Sequence, residues 1–124
     1  MKKILIVEDD KDAMDLYVNI LEKENYEIKK SYSGFSAGVA IDFKPDLVLL
    51  DIMLPDFDGY KICNYLRNSP EIANTKIMVI SAINDMSKIK KMYNLGANEY
   101  LVKPFSIVEL KTKIKKLLMK AHKT

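Results

Sequence analysis

At 124 residues the chain has room for one domain and one core, and 48% hydrophobic with 30% charged residues excludes a disordered or fibrous protein. Net charge is +3, but six lysines fall in the last fourteen residues with no acid among them, and removing those six leaves residues 1–110 at −3, a weak basis for nucleic-acid binding. The single Cys63 excludes an internal disulfide and fits a reducing cytoplasm, no apolar run approaches the roughly 18 residues of a membrane span, and Glu8-Asp9-Asp10 cuts the apolar start too short for a signal peptide.

In chain order, Ile4 to Val7 reads as a continuous aliphatic strand. Met14, Tyr17, Val18 and Leu21 then recur at helical spacing. Tyr26, Ile28 and Lys30 alternate as in a half-exposed edge strand, and Ser33 is placed to cap a helix carrying Ala37, Ala40 and Ile41, which must end before Pro45. Leu47 to Leu50 is the third strand, bounded by Pro45 before it and by Pro55 and Gly59 after. A helix from about Tyr60 to Arg67 presents Ile62, Cys63 and Leu66. Lys76 to Ile80 is the fourth strand, followed by a helix with Met86, Ile89 and Tyr93 that Gly96 ends in a left-handed cap. Tyr100 to Val102 is the fifth strand. Ser106 to Glu109 fits a capping box, and the last helix turns Leu110, Ile114, Leu117 and Leu118 inward and its lysines outward. Five strands alternating with five helices require crossovers, and so a parallel α/β sheet covered on both faces.

The residues just past the apolar runs gather along the carboxyl rim of such a sheet, where open α/β folds bind ligands. Here they are Glu8, Asp9, Asp51, Ser81 and Lys103. Close carboxylates repel by roughly 4 kcal/mol per pair at an effective dielectric of about 20, so the cluster calls for a cation or raised pKa values. Magnesium suits an all-oxygen donor set that leaves positions for water and phosphate oxygens. Lys103 and Ser81 add a second cation and a hydroxyl donor for anionic oxygens, and Asp51, central and single, is the preferred nucleophile for a phosphoryl group. Cys63 and His122 form no metal or nucleophilic pair, and no Gly-rich phosphate loop is present. Two other readings stand beside this one. An aspartyl-nucleophile phosphatase or phosphotransferase would want a second acid two residues after Asp51, where Met53 stands, and a binding domain without phosphorylation would have no use for the intact acids and lysine.

Through Val7-Glu8-Asp9-Asp10, Leu50-Asp51-Ile52-Met53-Leu54-Pro55-Asp56-Phe57-Asp58-Gly59, Ser81-Ala82, Gly96-Ala97-Asn98-Glu99-Tyr100 and Lys103-Pro104-Phe105, in this order and spacing, the chain resembles the receiver domain of two-component response regulators over essentially its whole length, residues 1–124. The resemblance implies a flavodoxin-like, doubly wound (βα)5 fold with strand order 2-1-3-4-5. It implies that Asp51 accepts a phosphoryl group from a phosphohistidine on a sensor histidine kinase or phosphotransfer protein. Asp9, Asp51 and the Met53 backbone carbonyl would hold Mg2+, with Glu8 acting directly or through water. Ser81 and Lys103 would contact phosphoryl oxygens, the Lys103-Pro104 peptide would be cis, and the phosphorylated state would draw Ser81 toward Asp51 and turn Tyr100 inward. That would repack the face of the fourth helix, fifth strand and fifth helix, the first candidate for any phosphorylation-dependent homodimer. The protein is thus expected to be a cytoplasmic switch rather than an enzyme, with self-catalysed phosphorylation and dephosphorylation and no membrane or direct nucleic-acid contact. Met53 and Ile83, apolar beside the site, predict slow spontaneous loss of the phosphoryl group. The chain ends one helix after Lys103-Pro104, so output is expected through a separate effector protein or through an output domain in a longer protein.

Overall fold

The computed structural model describes residues 1–32, 39–51 and 59–119. The Ser33 cap, Ala37, the segment from Ile52 to Asp58 that includes Met53, and His122 lie outside the described residues. In order the elements are β1 (Lys3–Val7), α1 (Lys11–Glu22), β2 (Glu27–Ser31), α2 (Val39–Phe43), β3 (Leu47–Leu50), α3 (Gly59–Arg67), a 3₁₀ turn at Pro70–Ile72, β4 (Lys76–Ser81), α4 (Met86–Asn94), β5 (Glu99–Val102) and α5 (Ile107–Leu118). The five strands pair in parallel in the order β2-β1-β3-β4-β5, the doubly wound flavodoxin-like arrangement.

Both faces of the sheet are covered, which is why its strands are runs of aliphatic residues rather than alternating ones. Ile4, Ile6, Leu47, Leu49, Met78, Ile80 and Leu101 pack against Met14, Tyr17, Ile20 and Leu21 of α1 and Leu110 and Ile114 of α5. Leu5, Val7, Val48, Leu50, Ile77, Val79 and Tyr100 face the opposite layer, with Ala40 of α2, Ile62, Cys63 and Leu66 of α3 and Met92 of α4. Strand alternation alone sorts these residues into two cores. β2 and β5 are the edges, and Ile28 of β2 is only half-buried.

The helix ends follow the local chemistry of their residues. Asp10 caps α1 by accepting from the Ala13 amide at 2.9 Å, and Ser106 caps α5 by accepting from Glu109 N–H at 3.0 Å. Gly96, at φ +111°, ends α4 with Gly96 N–H donating to Tyr93 O and Ala97 N–H to Met92 O, the paired bonds of a Schellman cap. One expected stripe needs correction. In α4 the fully buried residue is Met92, while Met86 is 75% and Tyr93 41% exposed, because this nine-residue helix meets the sheet along the Ile89–Met92 edge only. In α5 the inward pair is Leu110 and Ile114, and Leu117 and Leu118 are half-buried near the helix end.

Candidate functional site

Parallel pairing aligns Val7 with Leu50 and Leu50 with Val79, so the chain leaves β1 and β3 at the same level and β4 two residues further on, at Ser81. The first residues beyond the ladder are still tied to it. Glu8 N–H donates to Ser31 O at 2.9 Å, Asp51 N–H to Val7 O at 3.1 Å and Lys103 N–H to Ser81 O at 2.8 Å. Their side chains therefore start from fixed main-chain positions, as a preorganised polar site requires. Alternation carries Glu8, Asp51 and Lys103 onto the α1–α5 side, following Ile6, Leu49 and Leu101, and Ser81 onto the α2–α4 side with Val79 and Tyr100.

The carboxylates of Glu8, Asp9 and Asp51 offer ligand atoms within 4.8 Å of one another. Glu8 and Asp51 are buried and Asp9 is exposed, which leaves the cluster open on one side. Lys103 Nζ lies 3.6 Å from Asp51 Oδ2 and 3.7 Å from Glu8 Oε1, close enough for attraction but beyond hydrogen-bond length for both. Glu8 Oε2 accepts from Asp10 N–H at 3.2 Å, while Oε1, fully buried, has no hydrogen-bond partner. Burial first, and the Asp51 carboxylate second, push the Glu8 carboxyl up to about 7, against the pull of the Asp10 amide and Lys103. A buried carboxylate oxygen that accepts no hydrogen bond, beside two more acids and a single ammonium, is a site that a hard divalent ion with oxygen preference fits. Glu8, Asp9 and Asp51 are the described residues able to hold it, and Met53 lies outside them.

Behind the acids, Ser81 and Tyr100 meet through the main chain of Ile83. Ser81 Oγ accepts from Ile83 N–H at 3.1 Å, and Tyr100 Oη donates to Ile83 O at 2.9 Å. The Tyr100 side chain is buried, and burial pushes its phenol above the ordinary value while the Ser81 side chain pulls the other way. The Lys103-Pro104 peptide is cis. The described residues thus bring together Glu8, Asp9, Asp51 and Lys103 in one cluster, with Ser81, Ile83 and Tyr100 linked beside it.

Two residues escaped the reading of the sequence. Arg67, at the end of α3, donates to Gly96 O through both Nε and Nη2, to Ala73 O and Thr75 O through Nη1, and to Asn98 Oδ1. The signal was available: it is the one arginine in a chain with nineteen lysines, and only a guanidinium fork serves so many acceptors at once. Tyr17 is in the core as its place on the α1 stripe implies, but nothing in the sequence pairs its ring with Phe105, two residues past Lys103, on which it stacks.

A profile describing the response regulator receiver domain matches residues 4–115. The response regulator ArlR of Staphylococcus saprophyticus is 38% identical over 120 residues, which cover 95% of this chain and 53% of ArlR. The DNA-binding dual master transcriptional regulator RpaA of Synechocystis is 31% identical over 124 residues, covering 99% of this chain and 52% of RpaA. The chain therefore spans about half the length of these curated relatives. Among solved structures, the signal receiver domain of a DNA binding response regulator (merR) from Colwellia psychrerythraea superposes with a TM-score of 0.90 at 32% identity, over 97% of this chain and 100% of that one. Chemotaxis protein CheY4 of Vibrio cholerae, at 23% identity and a TM-score of 0.89 over 95% of this chain and 99% of that one, shares the fold. The chain belongs to the response regulator receiver domain family, signalling switches of two-component systems.

Proposed function

We propose that residues 1–124 form one receiver domain in which Asp51 is the phosphoacceptor. The observation that carries the reading is the placement of a buried Asp51 carboxylate at the end of β3, 3.6 Å from Lys103 Nζ and inside an acidic cluster. An Asp51 oxygen attacks the phosphorus of a phosphohistidine on a sensor kinase or phosphotransfer protein. A P–O bond forms, the P–N bond breaks, and the electron pair stays on the leaving imidazole. Mg2+, held by Glu8, Asp9 and Asp51 with the Met53 carbonyl, would offset charge on the transferring oxygens. Lys103 neutralises the same charge from the opposite side, and the Ser81 hydroxyl donates to a phosphoryl oxygen. The receiver itself supplies these groups, so a small phosphodonor serves as well as a kinase.

In the same reading, Ser81 is drawn to the phosphoryl group, whereas Tyr100, expected to turn inward only on phosphorylation, is already buried and donating to Ile83 O, and is held there. Ile83, which touches both through its main chain, couples the Ser81 movement to the face of α4, β5 and α5. Swinging such an equilibrium from 1:99 to 99:1 takes about 5.5 kcal/mol, within reach of several charge-assisted hydrogen bonds. That face then addresses an effector, an output domain in a longer protein, or a second copy of the domain. No described helix is long and apolar enough to cross a membrane, and a cytoplasmic setting is part of the proposal.

The test is incubation with Mg2+ and acetyl phosphate followed by intact mass and peptide mapping. One phosphoryl group on Asp51, absent from Asp51→Asn, is expected, together with NMR shifts around Tyr100. Phosphorylation of Asp51→Asn at the same site, or an unchanged Tyr100 surface, would overturn the acceptor or the relay respectively.

A further inference from the structure

Tyr17 lies in α1 with only 2% of its surface exposed, and its ring stacks on Phe105 with centroids 6.2 Å apart and planes 20° from parallel. Phe105 is otherwise half-buried against the α1–α5 core and stands between β5 and α5, two residues beyond Lys103. Tyr17 packs in the same core as Ile6 and Leu49, two residues before Glu8 and Asp51, and through Phe105 it touches the segment that carries the lysine.

The Lys103 side chain has few constraints of its own. It is 32% exposed, it reaches Glu8 and Asp51 at 3.7 and 3.6 Å by charge alone, and its main chain is tied to the sheet by Lys103 N–H to Ser81 O. That bond holds the strand side of the segment. On the side of α1 the described contact is the Tyr17–Phe105 stack. A flexible four-carbon stem needs a fixed root to place its ammonium between two carboxylates, since lysine lacks the preorganised fork of arginine.

We propose that Tyr17 is a positioning residue for the phosphoacceptor site, acting through the Phe105 stack to fix the segment from which Lys103 reaches Asp51. The inference rests on the reading of Asp51 as phosphoacceptor. It concerns the rate of phosphoryl acceptance and leaves the metal acids, which follow β1 and β3, in place. A displacement of Lys103 by about an ångström is enough to slow transfer on the order of tenfold or more.

The experiment follows acetyl phosphate phosphorylation of the full chain over a range of donor and Mg2+ concentrations. For Tyr17→Leu and for Phe105→Leu, the maximal rate is expected to fall by about tenfold, with the Mg2+ dissociation constant within about twofold of the parent protein. Tyr17→Phe, which keeps the ring, is expected to restore the rate, and the double variant Tyr17→Leu/Phe105→Leu to be no slower than either single one. A folded Tyr17→Leu with the parent rate overturns the proposal. So does a Tyr17→Phe as slow as Tyr17→Leu, or a double variant whose losses multiply. If Tyr17→Leu does not fold, Phe105→Leu alone decides by the same rate. Failure of the parent protein to phosphorylate at Asp51 is a separate result, and it overturns the acceptor reading itself.

Discussion

Asp51, Glu8 and Lys103 announce themselves by following apolar runs, because strand ends in a parallel sheet have a fixed address and polar residues at that address have few structural reasons to be there. Their mutual geometry gives each a distinct expected phenotype. Lys103→Gln should slow phosphoryl acceptance by on the order of 10²-fold while leaving Mg2+ affinity equal or higher, since it removes a competing cation 3.6 Å from Asp51. Stopped-flow fluorescence or mass spectrometry for the rate, with titration calorimetry for the metal, separates the two effects. The phosphorylated protein is expected to lose its phosphoryl group over minutes or longer, because the Ile83 side chain is apolar and its polar atoms are already engaged with Ser81 and Tyr100. A half-life of seconds in buffer would contradict that account. Tyr17 was not legible in the same way. An aromatic residue on an apolar helix stripe looks like any other core residue until the partner ring, 88 positions along the chain, is seen against it.

Among elements, the strands were the most legible, since each is a short aliphatic run with punctuation at both ends. The helices on the α2–α4 side were less so, and α4 shows why. Its nine residues carry Met86, Ile89, Met92 and Tyr93 at spacings that fit more than one inward face, and only packing against α3 and the sheet selects Met92. The Gly96 cap was legible, because a glycine directly after the last periodic turn has one common conformational purpose. What the sequence hid is that Arg67 occupies the space a side chain there would need. A Cβ at Gly96 would stand 2.8 Å from Arg67 Nε in a backbone conformation that already disfavours it. Gly96→Ala is therefore expected to destabilise the domain by about 1–3 kcal/mol. Arg67→Lys should cost about 2 kcal/mol by leaving several carbonyls without their charged donor. Urea denaturation of the two single variants and their combination checks both, and the combined loss should be smaller than the sum because they share one contact.

At the scale of the whole molecule, the buried acid of β1 ties stability to pH and metal. The Glu8 carboxyl is pushed up to about 7 from 4.5, so the folded state holds this proton more tightly than the unfolded chain does. Its contribution is complete below about 4.5, declines as pH rises through the window to about 7, and is lost above it. In Mg2+-free solution, thermal melts of the parent protein and Glu8→Gln should therefore converge near pH 4.5 and separate toward pH 8, with the Gln variant the more stable. Added Mg2+ should stabilise the parent far more at pH 8 than at pH 5, and a pH-independent metal effect would contradict this. The parallel sheet and its two layers of helices were readable from alternation of element types and the strand order from the family resemblance, whereas the division of labour between those layers was not, because it depends on which parity each strand carries past its last hydrogen bond. That parity has a consequence for how this domain varies. With Glu8, Asp51 and Lys103 on the α1–α5 side and Ser81 and Tyr100 on the other, the sheet works as a bulkhead between charging and readout. A random library sorted for charging rate should return changes concentrated in α1 and the segment around Phe105, and one sorted for response to an unchanged level of phosphorylation should return changes on the face of α4, β5 and α5.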